Sequence, residues 1–398
     1  MIHSVLTLLP MMVCLFWVVT LMCDIVMTRS YAEPTAATRG LLYSRYYLLL
    51  FLAVASVLYF GHCAYFNRLT HLTVVADSLY VAANLAVYPL YYLYICALTQ
   101  RENRGRLRFW LLFPAIAGGV TVAQLYAKMT DGEMRLFIER YLYRGEHPET
   151  GLAAMCQMYV HDACKLLFAV LVIVVLVLGR RDLSRYERLL NNSYADTENK
   201  SLVSLQHMLL AFVVTSVVSF MCNLVGRCHF VDSPWLLILP SVAFSILLFI
   251  IGYVGSRTQF SIWNIEQDEQ EGSFSSLSHN QAATSETNIS QLCRRIEQLM
   301  NEEQFYLQPN LKIGDLSARL ATNRNYIYLA INREMKMSFS EYINRQRIAY
   351  AKALIDETPQ MPLTEVAERS GFNSSTSFYR NFRQYQNMSP KAYQERKR

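Results

Sequence analysis

Seven apolar stretches dominate the first two thirds of the chain, at roughly 4–27, 41–64, 74–99, 108–127, 157–179, 202–225 and 234–256. Each has about the 20 residues that a helix needs to cross a hydrocarbon layer of about 30 Å. The clearest reads LLFAVLVIVVLVLG, 166–179; the third is interrupted by Asp77, Asn84 and Pro89. In lipid a backbone must satisfy its own hydrogen bonds, so continuous apolar runs predict helices, and they lack the alternation of a barrel. The expected fold is all-α, with a seven-helix transmembrane bundle over 1–256. A large soluble core is the competing reading, but seven runs of membrane length are rare in soluble folds. The first run lacks a basic start and a small-residue cleavage site, so it does not read as a signal peptide.

Orientation follows from Lys and Arg in the loops. With an outside N-terminus, the inner loops carry Arg29 and Arg39, then Arg101, Arg104, Arg106 and Arg108, then Arg180, Arg181, Arg185, Arg188 and Lys200. The outer loops carry Arg68, an acid-rich 128–156 segment and Arg227. The asymmetry predicts N-out, and seven crossings put the C-terminus in the cytoplasm of a bacterium, below its inner membrane.

Polar residues within spans are costly and mark functional positions. Asp77, Asn84, Asp162, Lys165 and His207 are the sensor candidates, with Gln124 and Asn223 also polar within the runs. Asp162 and Lys165 lie three apart on one helical face, able to pair. Polar contacts between helices are the plainer reading for each. His62, Cys63, His71, Cys156, His161, Asp162, Cys228 and His229 are metal-ligand types near the outer ends, yet no pair has ligand spacing. The nine cysteines contain no CxxC pair. No metal site, cofactor or catalytic residue is therefore predicted, and no nucleophile, phosphate loop or dinucleotide fingerprint is present.

After 256 the composition changes abruptly. Residues 257–290 carry one basic and five acidic residues and read as a polar, flexible linker whose start could extend the seventh helix. Residues 291–398 carry 17 Lys and Arg against 11 Asp and Glu, so the chain's net charge of +6 is concentrated there. A compact basic module suits a nucleic-acid partner.

That module contains an internal repeat. KIGDLSARLATNRNYIYLAINREMKMSF, 312–339, and PLTEVAERSGFNSSTSFYRNFRQYQNMSP, 362–390, share one plan. A short helix (Ile313, Leu316, Leu320; Leu363, Val366, Ala367) meets a tight break, and a second helix buries Ile327 and Ile331 or Phe378 and Phe382. The offset is 50 residues before the break and 51 after it, so the second turn has one extra residue. Helix-turn-helix units are thus predicted at 312–335 and 362–386, joined by a helix at 338–356 with an apolar stripe from Phe339 to Ile355. Two units on a rigid connector suit successive major grooves, about 34 Å apart. Base-contact candidates are Arg380, Ser375, Thr376 and Tyr379 in the second unit and Asn325, Tyr326 and Tyr328 in the first. Phosphate candidates are Arg324, Ser374, Arg383 and Lys391.

FSEYINRQRIAYAKALI and LTEVAERSGFNSSTSFYRNFRQYQNMSPKAY carry a resemblance to the AraC/XylS family of transcription regulators, covering about 291–398. The resemblance implies seven helices, recognition helices at about 323–334 and 374–386, double-stranded DNA as ligand, and activation through RNA polymerase. Lys336, Asn387 and Ala321 stand where the family commonly has glycine, and Leu329 where it often has arginine. Weaker base reading by the first unit is therefore expected.

The sequence reading is a membrane-embedded one-component transcription regulator whose spans sense a signal. A small molecule, a lipid or a membrane protein could be that signal, and a second copy could complete a homodimer. The alternative is a membrane receptor or transporter whose cytoplasmic tail docks a protein, and a third is a plain anchor.

Overall fold

A computed structural model of the chain describes residues 2–33, 35–100, 109–198, 200–225, 234–265, 267–268 and 286–398. Arg101, Arg104, Arg106, Arg108, Arg227, Cys228, His229 and residues 269–285 of the expected linker lie outside them, as does the side chain of Asn223. The fold is all-α: no strand occurs among the described residues, where a lone antiparallel bridge pairs Tyr194 with Lys312. The chain divides into two compact units, one of 1–184 and 202–263, the other of 185–201 and 264–398.

The first unit contains α1 (Ile2–Tyr31), α2 (Ala36–Phe66), α3 (Thr73–Thr99), α4 (Phe113–Tyr126) and α5 (Asp131–Leu136). It also contains most of α6 (Leu152–Ser193), then α7 (Val203–Val225) and α8 (Ile238–Arg257). Five helices, namely α1, α2, α3, α6 and the one around α8, are long and apolar enough to cross a membrane. Two of the seven expected runs give shorter apolar helices, Trp110–Tyr126 and Val203–Val217. Leu166, Val170, Ile173 and Val177 recur on one face of α6, each more than half exposed. Such a stripe suits lipid and would be a liability in water.

Between these helices small residues let backbones approach. A Cβ on Gly252 of α8 would lie 2.4 Å from Trp17 of α1, and one on Gly255 would lie 2.3 Å from Leu48 of α2. Polar groups pair internally. Arg45 reaches Asp24 at 3.0 Å, and the buried Asp182 accepts from Tyr92 and Gln100, both at 2.8 Å.

The seventh apolar helix is interrupted at the start of the linker, where 262–265 are helical again. It stops at Arg257, because Thr258 turns extended (ψ 112°). Ile262 and Ile265 are then buried, so the linker's start is packed rather than free.

The second unit contains α9 (Glu286–Glu303), α10 (Ile313–Arg319), α11 (Arg324–Leu329), α12 (Phe339–Glu357), α13 (Leu363–Arg369), α14 (Ser375–Gln386) and α15 (Pro390–Glu395). These are the seven helices that the family resemblance implies. Ile313, Leu316, Ile327, Ile331, Phe339 and Ile343 bury together with α9 in one core. Ile348, Ala351, Ile355, Val366, Ala367, Phe378 and Phe382 form another. The apolar stripe of α12 thus serves both repeats.

The repeat is exact enough to show in the backbone. Ala321 and Gly371 end the two first helices with φ of +49° and +81°, and Lys336 and Asn387 end the two second helices at +53° and +55°. Non-glycine residues in this left-handed region are strained by about 1–2 kcal/mol. We therefore expect Lys336→Gly to raise stability by about 1 kcal/mol, relieving that strain. Gly371→Ala should cost at least about 2 kcal/mol, since its Cβ would lie 2.6 Å from the Leu307 carbonyl oxygen. Hydrogen exchange of α12–α14 in the full-length protein in nanodiscs measures both.

Candidate functional site

Each second helix of the repeats begins at a capped end. The Asn323 side chain accepts from the Asn325 amide at 2.9 Å, and Ser374 accepts from the Ser377 amide at 3.0 Å. Capping satisfies amides that the helix itself leaves without partners, and it fixes where the helix starts. Burial of Ile327 and Ile331, and of Phe378 and Phe382, then aims the opposite faces outward. Ser375, Thr376, Tyr379, Arg380 and Arg383 are exposed on α14, and Asn325 and Tyr328 on α11; Lys391 is exposed on α15. Tyr326 is half-buried against the first core. Arg324 and Ser374 are also half-buried, because both are bonded within this unit: Arg324 Nη2 donates to the Asp268 carbonyl at 2.7 Å, and the Ser374 hydroxyl donates to Glu198. The first recognition helix ends in a wider π-helical turn, Ala330–Glu334, that leads into the left-handed Lys336.

Arg347, which the sequence reading passed over, holds the two repeats in register. It is completely buried on α12. Its Nε donates to the Tyr306 carbonyl and its Nη2 to the Gln308 carbonyl, both at 2.7 Å, while the guanidinium lies 5.6 Å from the Phe372 ring centre. Burial lowers its pKa to about 10. It therefore stays charged at neutral pH and must keep these partners. The only signal in the sequence is an Arg interrupting an apolar stripe, one position before Ile348.

In the first unit, four of the five sensor candidates meet. Asp77, Asn84, Asp162 and Lys165 line one cavity of about 570 Å³, together with His62 and His161. His207 lies elsewhere, exposed on α7. Asp77 Oδ2 is 2.9 Å from His161 Nε2 and accepts from Tyr126 at 2.8 Å. His161 Nδ1 is 2.9 Å from the Gln157 carbonyl oxygen, an acceptor. With an acceptor on each ring nitrogen, His161 and Asp77 must share a proton between them. Asp162 Oδ1 takes Lys165 at 2.8 Å and Tyr141 at 2.7 Å, and its Oδ2 is 3.2 Å from His147. A π-helical turn, Phe137–Leu142, delivers Tyr141, and such turns recur at functional sites. Most of the remaining wall is aliphatic and aromatic, including Tyr88 stacked on Phe212 at 4.2 Å, with Thr7, Arg144, Ser216 and Ser241 also on it. The cavity wall thus combines a mostly apolar surface with the charged groups Asp77, Asp162 and Lys165. Among the described residues no three His, Cys, Asp or Glu side chains could hold a metal ion.

The second unit is by its geometry a bipartite helix-turn-helix module, the class that places exposed helix faces in the major groove. Comparison with known families agrees: the family described as Helix-turn-helix domain matches residues 316–396, and this part of the chain is a helix-turn-helix domain of the AraC type. The chain is similar to the melibiose operon regulatory protein of Escherichia coli K12, 29% identical over 116 residues, which are 28% of this chain and 38% of that protein. It is similar to the probable transcriptional regulator LumQ of Photobacterium leiognathi, 35% identical over 89 residues, 22% of this chain and 36% of that one. An uncharacterized HTH-type transcriptional regulator, YtdP of Bacillus subtilis, is 32% identical over 91 residues, 23% of this chain and 12% of that protein. The chain thus spans well under half the length of each of these curated relatives. No solved structure matches it.

Replacing Arg347 with Leu should strand the Tyr306 and Gln308 carbonyls. We expect a loss of about 3 kcal/mol in the local stability of α12, read by hydrogen exchange. Arg347→Lys should recover only part of it, since one ammonium cannot reproduce the forked donation.

Proposed function

We propose that the protein is a membrane-embedded, one-component transcription regulator that binds specific duplex DNA through two helix-turn-helix units. One observation carries the reading. Two capped helices, each with an exposed polar face, are mounted on the single 19-residue connector α12, in a chain that also has five helices of membrane length.

In this reading 291–398 is the DNA-binding domain and 1–256 the membrane domain, with 257–290 between them. The N-terminus faces out, and the C-terminus faces the cytoplasm from a bacterial inner membrane. Arg380 reads a guanine in bidentate fashion, with Ser375, Thr376 and Tyr379 beside it. Asn325, Tyr326 and Tyr328 read the second groove, and Arg324, Ser374, Arg383 and Lys391 meet phosphates. The second repeat carries more of the specificity, because its face holds Arg380 and that of the first offers Tyr328 and Leu329. RNA polymerase is the protein partner, and a homodimer would double the site.

The membrane domain is the sensor, and its cavity is the site. A wall that is apolar over most of its area and carries Asp77, Asn84, Asp162 and Lys165 suits an amphipathic small molecule with a hydrogen-bonding head. The protein acts by binding rather than by catalysis.

The test is selection of duplexes from a random library by the full-length protein in nanodiscs. A recovered motif with two half-sites about one helical turn apart supports the reading; no enrichment overturns it, and capture of a protein partner instead favours the receptor alternative. Arg380→Ala should relax one base position by about 1–3 kcal/mol while leaving the rest of the motif intact. Reporter fusions after Arg398 that prove active only outside the cell would overturn the topology.

A further inference from the structure

The turn of the second repeat has one residue more than that of the first, and the extra residue is occupied. Asn373 Nδ2 donates to Asp196 Oδ2 at 2.9 Å. Its neighbour Ser374, the N-cap of α14, donates to Glu198. Both acids belong to a short segment, residues 194–198, that follows α6. The segment is fastened along the module at several points. The Ala195 amide donates to the Leu311 carbonyl at 3.0 Å, and the Ala195 carbonyl accepts from Ser340 and Asn344, both at 2.9 Å. Ala195 itself is buried in the core of the first repeat.

A third acid completes the pattern. The Asp268 carboxylate takes Lys312 at 2.8 Å and the Tyr194 hydroxyl, while its carbonyl oxygen takes Arg324. Burial and the nearby Asp268 both raise the Tyr194 pKa, so its hydroxyl remains a donor. The groups engaged therefore include two of the four phosphate candidates, Arg324 and Ser374, one in each repeat. The oxygens that engage them come from Glu198 and Asp268, while the base-facing Arg380, Ser375 and Thr376 stay exposed.

We propose that the 194–198 segment and Asp268 form an acidic strap that occupies the DNA-phosphate positions of both repeats and competes with the duplex. At Ser374 the Glu198 carboxylate supplies the charge and acceptor geometry of a phosphate oxygen, and at Arg324 the Asp268 carbonyl supplies the acceptor, held there by the Asp268 carboxylate's pairing with Lys312. With the strap in place, the single Ser374 hydroxyl proton and Arg324 Nη2 are turned to the strap and away from the backbone, although the base-reading face is open. The protein in this conformation is held off DNA, and release of the strap turns it on. The inference rests on the DNA-binding function proposed above.

The experiment uses the full-length protein in nanodiscs and the duplex recovered by selection. Asp196→Asn with Glu198→Gln should bind that duplex about tenfold more tightly than the unaltered chain, and Asp268→Asn, which removes the Lys312 anchor but keeps the carbonyl on Arg324, should give a smaller gain in the same direction. Glu302→Gln with Glu357→Gln, two exposed acids away from the strap, serves as the control for net charge. A gain confined to the strap variants, with faster hydrogen exchange across 194–198 when duplex is added to the unaltered protein, supports the strap. Equal affinity across strap and control variants, or a strap still protected at saturating duplex, overturns it and leaves the DNA-binding function standing. Failure of every protein, including both strap variants, to select any duplex would overturn that function itself.

Discussion

The spacing of the two recognition helices depends on a single cation buried where a hydrocarbon would ordinarily sit. Arg347 donates to carbonyls at 306 and 308 in the chain that precedes the first repeat, and its guanidinium lies against Phe372 in the turn of the second. α12 alone could tilt against either core. With the Arg347 donors on one side and its guanidinium face on the other, a tilt one way costs charged hydrogen bonds and a tilt the other way costs the contact with the Phe372 ring. Lysine has neither the planarity nor the reach for two carbonyls at once. Gly371 completes the junction, since any side chain there would run into the Leu307 carbonyl. If the module reads successive grooves, as proposed, this rigidity is functional: an error of a few ångströms in spacing would take one helix off its base pairs.

Much of this module could be read in the sequence, because helical periodicity reports burial directly. Ile327 and Ile331, Phe378 and Phe382, and most of the α12 stripe are buried as their spacing implies. The positions where glycine was missing proved informative for a conformational reason: Ala321, Lys336 and Asn387 all adopt the left-handed backbone that makes glycine favourable. What the sequence hid was non-local. The partners of Arg347 are backbone carbonyls about forty positions away, and backbone atoms leave no trace in residue identity. Asp196 and Asn373 are 177 positions apart, each an ordinary polar residue until the fold brings them together.

The membrane unit divides in the same way. Apolar runs fix where its helices lie, since composition over about 20 residues is what lipid selects. Which polar residues converge depends on helix rotation and order, which composition does not encode. Asp77 and Asp162 were visible as costly residues, whereas Tyr126 and Tyr141, which satisfy them, were lost among 26 tyrosines. His161 was visible as a residue type but not as the partner of Asp77. The exposed His207 shows the converse, a polar residue in an apolar run that meets none of the others.

A strap of this kind needs little energy to matter. Each charge-assisted hydrogen bond contributes on the order of 1.5–3 kcal/mol at most, yet an intramolecular competitor acts at an effective concentration in the millimolar range for a short tether. Duplex must displace it before both repeats can engage, so a bias of 1.4 kcal/mol on the strap is a tenfold change in apparent affinity. The strap follows directly on Ser193, the last residue of the helix that bears His161, Asp162 and Lys165. Whatever ligand favours the released strap is, by linkage, bound more tightly when DNA is present. Salt then separates the two competitors. Duplex binding releases a counterion for nearly every phosphate neutralised, whereas the strap exchanges only a few contacts, so rising ionic strength weakens DNA more steeply than it weakens the strap. Inhibition should therefore deepen with salt.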